Sequence, residues 1–223
     1  NFFGVHLLLR GTAIVSLLTL LSRFLGFVRD LLVAKLLGAS LFADAFFVAF
    51  RIPNLLRSFV AEGALTSAFV PVFSSTLARS KEDAFLSFRR VFGFLLWLTL
   101  PLSVAGMWFA AEVVDFLAPG FSEDPAKFAL CVRLTQVMMP YIACVSMIAM
   151  INSALNALHV FGASAWAQVT MNLVLIVGAA AAMACDQETA TYVLSYSVLV
   201  GGAAQVLAQV PACVRAGLSL RPM

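Results

Sequence analysis

The sequence has few charged residues, which sets it apart from soluble proteins. Of its 223 residues, 11% are charged and 62% are hydrophobic, whereas a soluble domain has about 25% charged and about 45–50% apolar residues. The mean hydropathy is +1.00. These values predict an integral membrane protein of the all-α class, because helices satisfy their own backbone hydrogen bonds in lipid.

Several classes of functional motif are also missing. No basic run with interleaved aromatic residues occurs, so no nucleic-acid partner is expected. The four cysteines form no C-x-x-C pair and have no histidine at metal-ligand spacing, so neither a metal site nor another cofactor is expected. Without a P-loop, an H-E-x-x-H motif or a G-x-S-x-G motif, the chain is predicted not to be an enzyme.

Six apolar stretches are long enough to cross a membrane, which takes about 20 residues. These predicted spans 1 to 6 are 8–37, 41–77, 85–114, 128–158, 163–185 and 190–214. Span 2 would extend roughly 55 Å against a hydrocarbon core of about 30 Å, and it contains Pro53 and Pro71. We therefore expect spans 1 and 2 to be long and bent, span 1 at Gly26, within one six-helix bundle.

The charges between the spans indicate the orientation. Basic residues lie at the start of span 1, between span 2 and the first turns of span 3, and after span 6: Arg10, Arg79, Lys81, Arg89, Arg90, Arg215 and Arg221. The loops on the alternate side are mostly acidic: Asp115, Glu123, Asp124, Asp186 and Glu188. The positive-inside rule then predicts that both ends are cytoplasmic. The chain does not start with Met, and we expect it to be a piece of a longer protein.

Charged residues inside the first two spans indicate a function. They are Arg23, Arg29 and Asp30 in span 1 and Arg51, Arg57 and Glu62 in span 2. Because one arginine at a membrane centre costs about 2.5–3.5 kcal/mol, we interpret these residues as lining a cavity. Arginine keeps its charge and pairs bidentately with phosphate oxygens. The cavity would therefore suit a phosphate or pyrophosphate group, with the two carboxylates as counter-charges.

Other interpretations of these polar residues stay open. Arg29 and Asp30 could form a structural pair, and Arg57 could extend to the cytoplasmic interface. Arg23 and Arg29 are about 120° apart on an ideal helix, so both would face one cavity only if span 1 bends or rotates. The amides of spans 4 and 5 are interpreted as interhelical hydrogen-bonding groups: Asn152, Asn156, Gln168 and Asn172.

The same residues carry a family resemblance. The run from Ser22 to Asp30, SRFLGFVRD, resembles the first helix of the MurJ lipid II flippases of the MOP exporter superfamily. Further matching runs are 44–50 (DAFFVAF), 53–57 (PNLLR), 61–64 (AEGA), 68–71 (AFVP), 118–121 (APGF) and 140–141 (PY).

The resemblance implies a fold and an activity. The chain would be the amino-terminal six-helix lobe of a fourteen-helix transporter in the bacterial inner membrane, its carboxy-terminal lobe lying outside this chain. Such proteins flip lipid II, an undecaprenyl-pyrophosphate disaccharide-pentapeptide, by alternating access. The implied partners are lipid II, membrane lipids and, as an open alternative, other cell-wall synthesis proteins. The predicted substrate-binding residues are Arg23, Arg29, Asp30, Arg57 and Glu62.

Two alternative functions remain. A related exporter of the same superfamily could move another polyprenyl-linked sugar, or drugs, although cationic drugs would favour acidic cavity residues. A membrane scaffold for cell-wall enzymes, which transports nothing, is the alternative from a different class. Such a scaffold would not require arginines inside the membrane, so loss of function on replacing Arg29 separates it from a transporter.

Overall fold

The computed structural model describes residues 2–57 and 65–223, with side chains described for residues 15–55 and 68–223. These ranges contain nine α-helices and no β-strand, which confirms the all-α prediction. The helices are α1 (Phe2–Leu37), α2 (Leu41–Arg57), α3 (Leu65–Arg79), α4 (Lys81–Trp108), α5 (Ala110–Leu117), α6 (Pro125–Met138), α7 (Tyr141–Ala157), α8 (Gly162–Ala182) and α9 (Gln187–Ala216). A short 3₁₀ helix, Pro119–Glu123, joins α5 to α6.

Three predicted spans correspond to single helices. Spans 1, 5 and 6 are α1, α8 and α9, and α1 continues as a helix through Gly26. Span 2 corresponds to α2 and α3, with Pro53 inside α2 and Pro71 inside α3. Because residues 58–64 lie outside the described residues, a single bent helix over 41–77 stays a prediction.

The prediction that span 3 is one continuous helix over 85–114 is wrong, because this segment contains two helices. Phe109 leaves the helical conformation, with φ −96° and ψ 27°, and separates α4 from α5. Gln136 of α6 donates a hydrogen bond from Nε2 to the Met107 carbonyl at 3.2 Å. This contact supplies a partner to a carbonyl at the end of α4, where helical carbonyls lose their own partners.

The prediction that span 4 is one continuous helix over 128–158 is also wrong. It consists of α6 and α7, which meet at Met139–Pro140 with a bend of 44°. Pro140 has no N–H to donate, and its ring clashes with the carbonyl four residues earlier, so the helix bends there. Tyr141 begins α7 directly after this bend and lines the cavity described below.

The described helices fit a membrane protein by length and hydropathy. In residues 2–57 and 65–223, α4, α8 and α9 are each long and apolar enough to cross a bilayer, and the bent pair α6–α7 is a fourth if it forms one span. Many large apolar side chains are exposed, among them Phe24, Trp97 and Trp108. Such a surface is expected where lipid replaces water. The count of six spans stays a prediction.

The helices enclose two apolar clusters. Helix α8 packs along α1 and α9, α2 packs on α6, and α7 packs on α4 and α9. One cluster joins the end of α1 and the start of α2 to α6, and includes Leu37, Phe46 and Leu134. The other joins α3, α4 and the ends of α7 and α9, and includes Phe73 and Phe88.

Close contact between α7 and α9 depends on a glycine. A Cβ atom at Gly202 would lie 2.6 Å from Cδ2 of Tyr141 and 3.1 Å from Cβ of Cys144, and real Cβ atoms are not found at the shorter distance. The missing side chain therefore lets α9 approach the start of α7. This approach brings the next turn of α9, which carries Gln205, beside the polar residues of α7.

Polar side chains fix helix ends on the side predicted to face outward. Lys127 Nζ lies 2.5 Å from Asp44 Oδ2, and it also lies over the Phe121 ring at 4.3 Å from the ring centroid. Asp186 caps α9 by accepting hydrogen bonds from the backbone N–H and the hydroxyl of Thr189. These bonds lower the pKa of the exposed Asp186 carboxyl, so acidification below its usual range is expected to weaken this cap.

Candidate functional site

A polar cavity lies among α1, α2, α7, α8 and α9. Its volume is about 290 Å³, and its lining combines apolar side chains with one cation and several amides. The polar lining residues are Arg29 on α1, Asn54 on α2, Asn152 on α7, Gln168 on α8 and Gln205 on α9. Apolar walls come from side chains such as Phe50, Val145 and Met171. Arg29 is therefore the one charged side chain in this lining among the described residues.

Arg29 is held by two neighbours. Its Nε and Nη2 donate hydrogen bonds to Oδ1 of Asp30 at 2.9 and 2.8 Å, and its Nη1 donates to Oδ1 of Asn172 at 2.9 Å. An arginine side chain has five N–H donors, so within the described residues one donor remains on each terminal nitrogen. The Arg29 side chain is 28% exposed. The guanidinium group is thus fixed in position yet can still donate to a ligand.

Asn172 positions Arg29 from the neighbouring helix. The Asn172 residue is 6% exposed, and its Nδ2 donates to the Ser22 carbonyl at 2.8 Å and to the Ser22 hydroxyl at 3.3 Å. One amide therefore bonds two successive turns of α1 and joins α8 to that helix. The predicted interhelical role of Asn172 is confirmed, but its direct bond to Arg29 was not predicted.

Neutral amides form another part of the cavity wall. Asn152 Oδ1 accepts a hydrogen bond from Nε2 of Gln209 at 2.7 Å, which confirms an interhelical bond between α7 and α9. Asn54 Nδ2 donates to the Phe50 carbonyl at 2.9 Å. Gln205 is 3% exposed, and its Oε1 accepts no hydrogen bond among the described residues. Leaving a buried acceptor unpaired costs about 1–3 kcal/mol.

The other predicted site residues occupy different positions. Asp30 is 67% exposed in its side chain and meets the cavity through Arg29. Arg23 is exposed on α1, on the side that also carries the exposed Leu20 and Phe27. This placement agrees with the angle of about 120° between the two arginines, and the structure does not bring Arg23 to the polar cavity.

The remaining charges of span 2 are only partly described. The Arg57 side chain and all of Glu62 lie outside the described residues, so their predicted roles in substrate binding stay predictions. Arg51 is exposed and does not line the cavity. The interpretation that Arg51 lines the same cavity as Arg29 is therefore not supported by the structure.

A larger apolar groove runs along α4. Its volume is about 950 Å³, and its lining, which includes Trp97, Leu100 and Trp108, carries no charged side chain. Both tryptophans are about four-fifths exposed. This groove offers an apolar surface and has no group to neutralise an anion, so the polar cavity is the better candidate for binding a charged head group.

The polar cavity can hold an anion beside uncharged hydrogen-bonding groups. Arg29 offers a positive charge and two remaining donors, while the amide wall offers both donors and acceptors. No group of three or more metal-ligating side chains occurs among the described residues. The signal for Arg29 was present in the sequence as a charge in an apolar stretch. The amides gave a weaker signal, because such residues commonly join helices.

Comparison with known sequences identifies the family. Residues 33–223 match the family model described as "Lipid II flippase MurJ". A probable lipid II flippase MurJ of Buchnera aphidicola subsp. Acyrthosiphon pisum is 35% identical over 218 residues, covering 96% of this chain and 42% of the relative. The lipid II flippase MurJ of Burkholderia cenocepacia is 40% identical over 205 residues, covering 92% of this chain and 40% of the relative.

A solved structure shows the same fold. It is titled "Lipid II flippase MurJ, inward closed conformation", and it superposes with a TM-score of 0.74 at 24% identity, over 91% of this chain and 42% of that one. The chain thus spans about two-fifths of the length of the relatives it matches. From the family match and the identities over nearly its whole length, the chain belongs to the MurJ lipid II flippase family of membrane proteins.

Proposed function

We propose that this chain forms the amino-terminal lobe of a transporter that moves lipid II from the cytoplasmic to the outer leaflet of the bacterial inner membrane. The family match supports this proposal, as do the relatives named as lipid II flippases. A lobe of this kind works by binding and reorienting its substrate, so we assign no catalytic residue to it.

The observation that carries the proposal is the position of Arg29. It contributes a cation to a polar cavity inside an apolar helical bundle, and it keeps a donor on each terminal nitrogen. A charge in such a place is costly unless it serves a ligand or pathway. A pyrophosphate group supplies acceptor oxygens and negative charge, which are the features that a guanidinium group recognises.

The mechanism follows from the chemistry of the substrate. Arg29 would bind the pyrophosphate, with Asp30 keeping the empty site close to neutral, while the polyprenyl chain stays in lipid along the apolar helices. Arg23, Arg57 and Glu62 would contribute further to substrate binding in the full-length protein. Opening the cavity to either side of the membrane by alternating access would require the carboxy-terminal lobe.

Depletion and complementation test the function. The native flippase would be depleted from a bacterial strain, and the full-length protein containing this chain would be supplied from a plasmid. Newly made lipid II on the outer leaflet would then be measured by its cleavage with an added periplasmic enzyme. Restored cleavage is expected. A scaffold would instead restore the assembly of cell-wall enzymes without restoring access of the added enzyme to lipid II.

Cysteine labelling tests the proposed orientation. Cys185 is exposed and lies between α8 and α9, whereas Cys131 and Cys213 are buried. If both ends of the chain are cytoplasmic, a membrane-impermeant maleimide added outside intact cells should label Cys185. The signal should disappear in Cys185→Ser, which controls for every other thiol. Labelling that appears only after the membrane is permeabilised would contradict the orientation.

A further inference from the structure

The amide side chains that line the cavity together with Arg29 form a second part of it. This amide wall consists of Asn152, Gln168 and Gln205, which α7, α8 and α9 bring together. It carries no charge, so it adds no charge–charge attraction for a pyrophosphate. A phosphate oxygen only accepts hydrogen bonds, whereas amide side chains both donate and accept. The wall therefore matches a ligand group that also does both, such as a sugar hydroxyl.

Gln205 gives the strongest indication of such a ligand. The residue lines the cavity and is 3% exposed, and its Oε1 is buried without a partner among the described residues. The terminal torsion of glutamine is broad and nearly two-fold, so a turn of the amide presents either an acceptor or a donor to the cavity. Buried polar groups in proteins are normally paired, and the missing partner here points to a ligand.

The size of the cavity limits what can enter. A volume of about 290 Å³ is at the lower end of the range for small-molecule sites, about 300–1,000 Å³. A whole disaccharide-pentapeptide is too large for this space. A single sugar ring next to the pyrophosphate fits better, because Arg29 would hold the charged group within the same cavity.

We propose that the amide wall, above all Gln205, binds hydroxyl groups of the sugar attached to the pyrophosphate and so selects glycosylated lipids over bare undecaprenyl pyrophosphate. This inference rests on the proposed function. It assigns Arg29 to the charge of the substrate and the amide wall to its saccharide. The two parts of the cavity therefore make separate contributions that different variants can remove.

Binding to the full-length protein in lipid nanodiscs tests the assignment. The ligands would be lipid II, the same lipid without its pentapeptide, and undecaprenyl pyrophosphate. Gln205→Met keeps the shape of the side chain and removes its hydrogen bonds. This variant is expected to weaken binding of both glycosylated lipids about tenfold, which corresponds to the loss of one or two hydrogen bonds. Binding of undecaprenyl pyrophosphate should stay unchanged.

Two further variants keep the test decisive. Gln168→Met changes an exposed lining residue, so this variant should fold even if Gln205→Met does not. It should also reduce the preference for glycosylated lipids over undecaprenyl pyrophosphate. Gln136→Met is the matched control, because Gln136 of α6 donates a hydrogen bond to the Met107 carbonyl and neither residue lines the polar cavity. It should lower thermal stability without changing the preference for glycosylated lipids.

The outcomes separate this inference from the proposed function. The inference is overturned if neither Gln205→Met nor Gln168→Met changes the preference for glycosylated lipids. It is equally overturned if each variant weakens the binding of all three ligands by the same factor. It is also overturned if the effect vanishes once the pentapeptide is removed, since the wall would then bind the peptide. If the unmodified protein binds none of the three lipids more tightly than phosphatidylglycerol, the proposed function itself fails.

Discussion

Replacing Arg29 with alanine in the full-length protein is expected to abolish lipid II translocation. Truncating one partner of a buried, charged hydrogen-bonded pair typically costs about 2–5 kcal/mol, which corresponds to a loss in affinity of roughly 30-fold or more. Asp30 would also lose the partner that neutralises it, so the cavity would become more repulsive to an anion. The measurement is the amount of lipid II on the outer leaflet of cells that are depleted of the native flippase and carry the variant.

Two variants control this experiment. Arg29→Lys keeps the charge but cannot hold Asp30, Asn172 and a ligand in one planar arrangement, so it should retain a small part of the activity. Arg133→Ala removes another exposed arginine, on α6, which does not line the cavity, and should behave as the wild type. If Arg29→Ala supported normal translocation at normal protein levels, Arg29 would be a structural residue and the scaffold hypothesis would gain.

Asn172→Leu is expected to produce the second largest effect, through both stability and position. The change removes the bonds from Asn172 to Ser22 and leaves Nη1 of Arg29 without its acceptor. The loss of these buried bonds should lower the free energy of unfolding by about 1–3 kcal/mol. Lipid II binding should weaken about tenfold, because Arg29 is no longer held against α8.

A double-mutant cycle distinguishes positioning from general destabilisation. If Asn172 acts on binding through Arg29, Asn172→Leu should not weaken lipid II binding further in an Arg29→Ala background. Gln136→Leu is the matched control, because it removes an interhelical bond to the Met107 carbonyl, away from the cavity. It should lower the melting temperature and leave binding intact. Additive effects of Asn172→Leu and Arg29→Ala on binding would contradict the positioning role.

Features set by composition and periodicity were predictable from sequence. The all-α class follows from the apolar content. Helices α8 and α9 lie within a few residues of spans 5 and 6, and α1 ends with span 1 but begins earlier, at Phe2. Arg29 stood out because a charge in an apolar stretch is costly wherever it lies. The family resemblance, drawn from runs such as 22–30, is confirmed by the family match.

Features set by tertiary contacts were not predictable. The break at Phe109 has no proline or glycine at that position, and it lies beside a carbonyl bonded by Gln136 from another helix. The bend at Met139–Pro140 had a local signal in the proline, but a proline can bend a helix or be accommodated in it. The bond between Asn172 and Arg29 joins residues 143 positions apart, which no local pattern encodes.

The cavity also shows why a charge in an apolar stretch did not by itself identify the residues that line the site. The sequence made both Arg23 and Arg29 candidate cavity residues, because both lie in one apolar stretch, although their angle of about 120° required span 1 to bend or rotate. The rotation along α1 points Arg29 toward Asn172 of α8 and leaves Arg23 exposed. Of the neutral amides that line the cavity, Asn152 and Gln168 were interpreted only as links between helices, and Gln205 was not singled out. Asn152 and Asn172 do form such links, while Gln205 lines the cavity with an unpaired oxygen.

The most direct test of the central claim is to vary the charge of the ligand together with Arg29. Binding to the full-length protein in nanodiscs would be measured for lipid II and for an analogue whose pyrophosphate is replaced by an uncharged linker. We predict that the wild-type protein prefers lipid II by roughly 30-fold or more, in keeping with a buried charge pair, and that Arg29→Ala removes most of this preference. An equal preference in both proteins would show that Arg29 does not bind the pyrophosphate and would contradict the account.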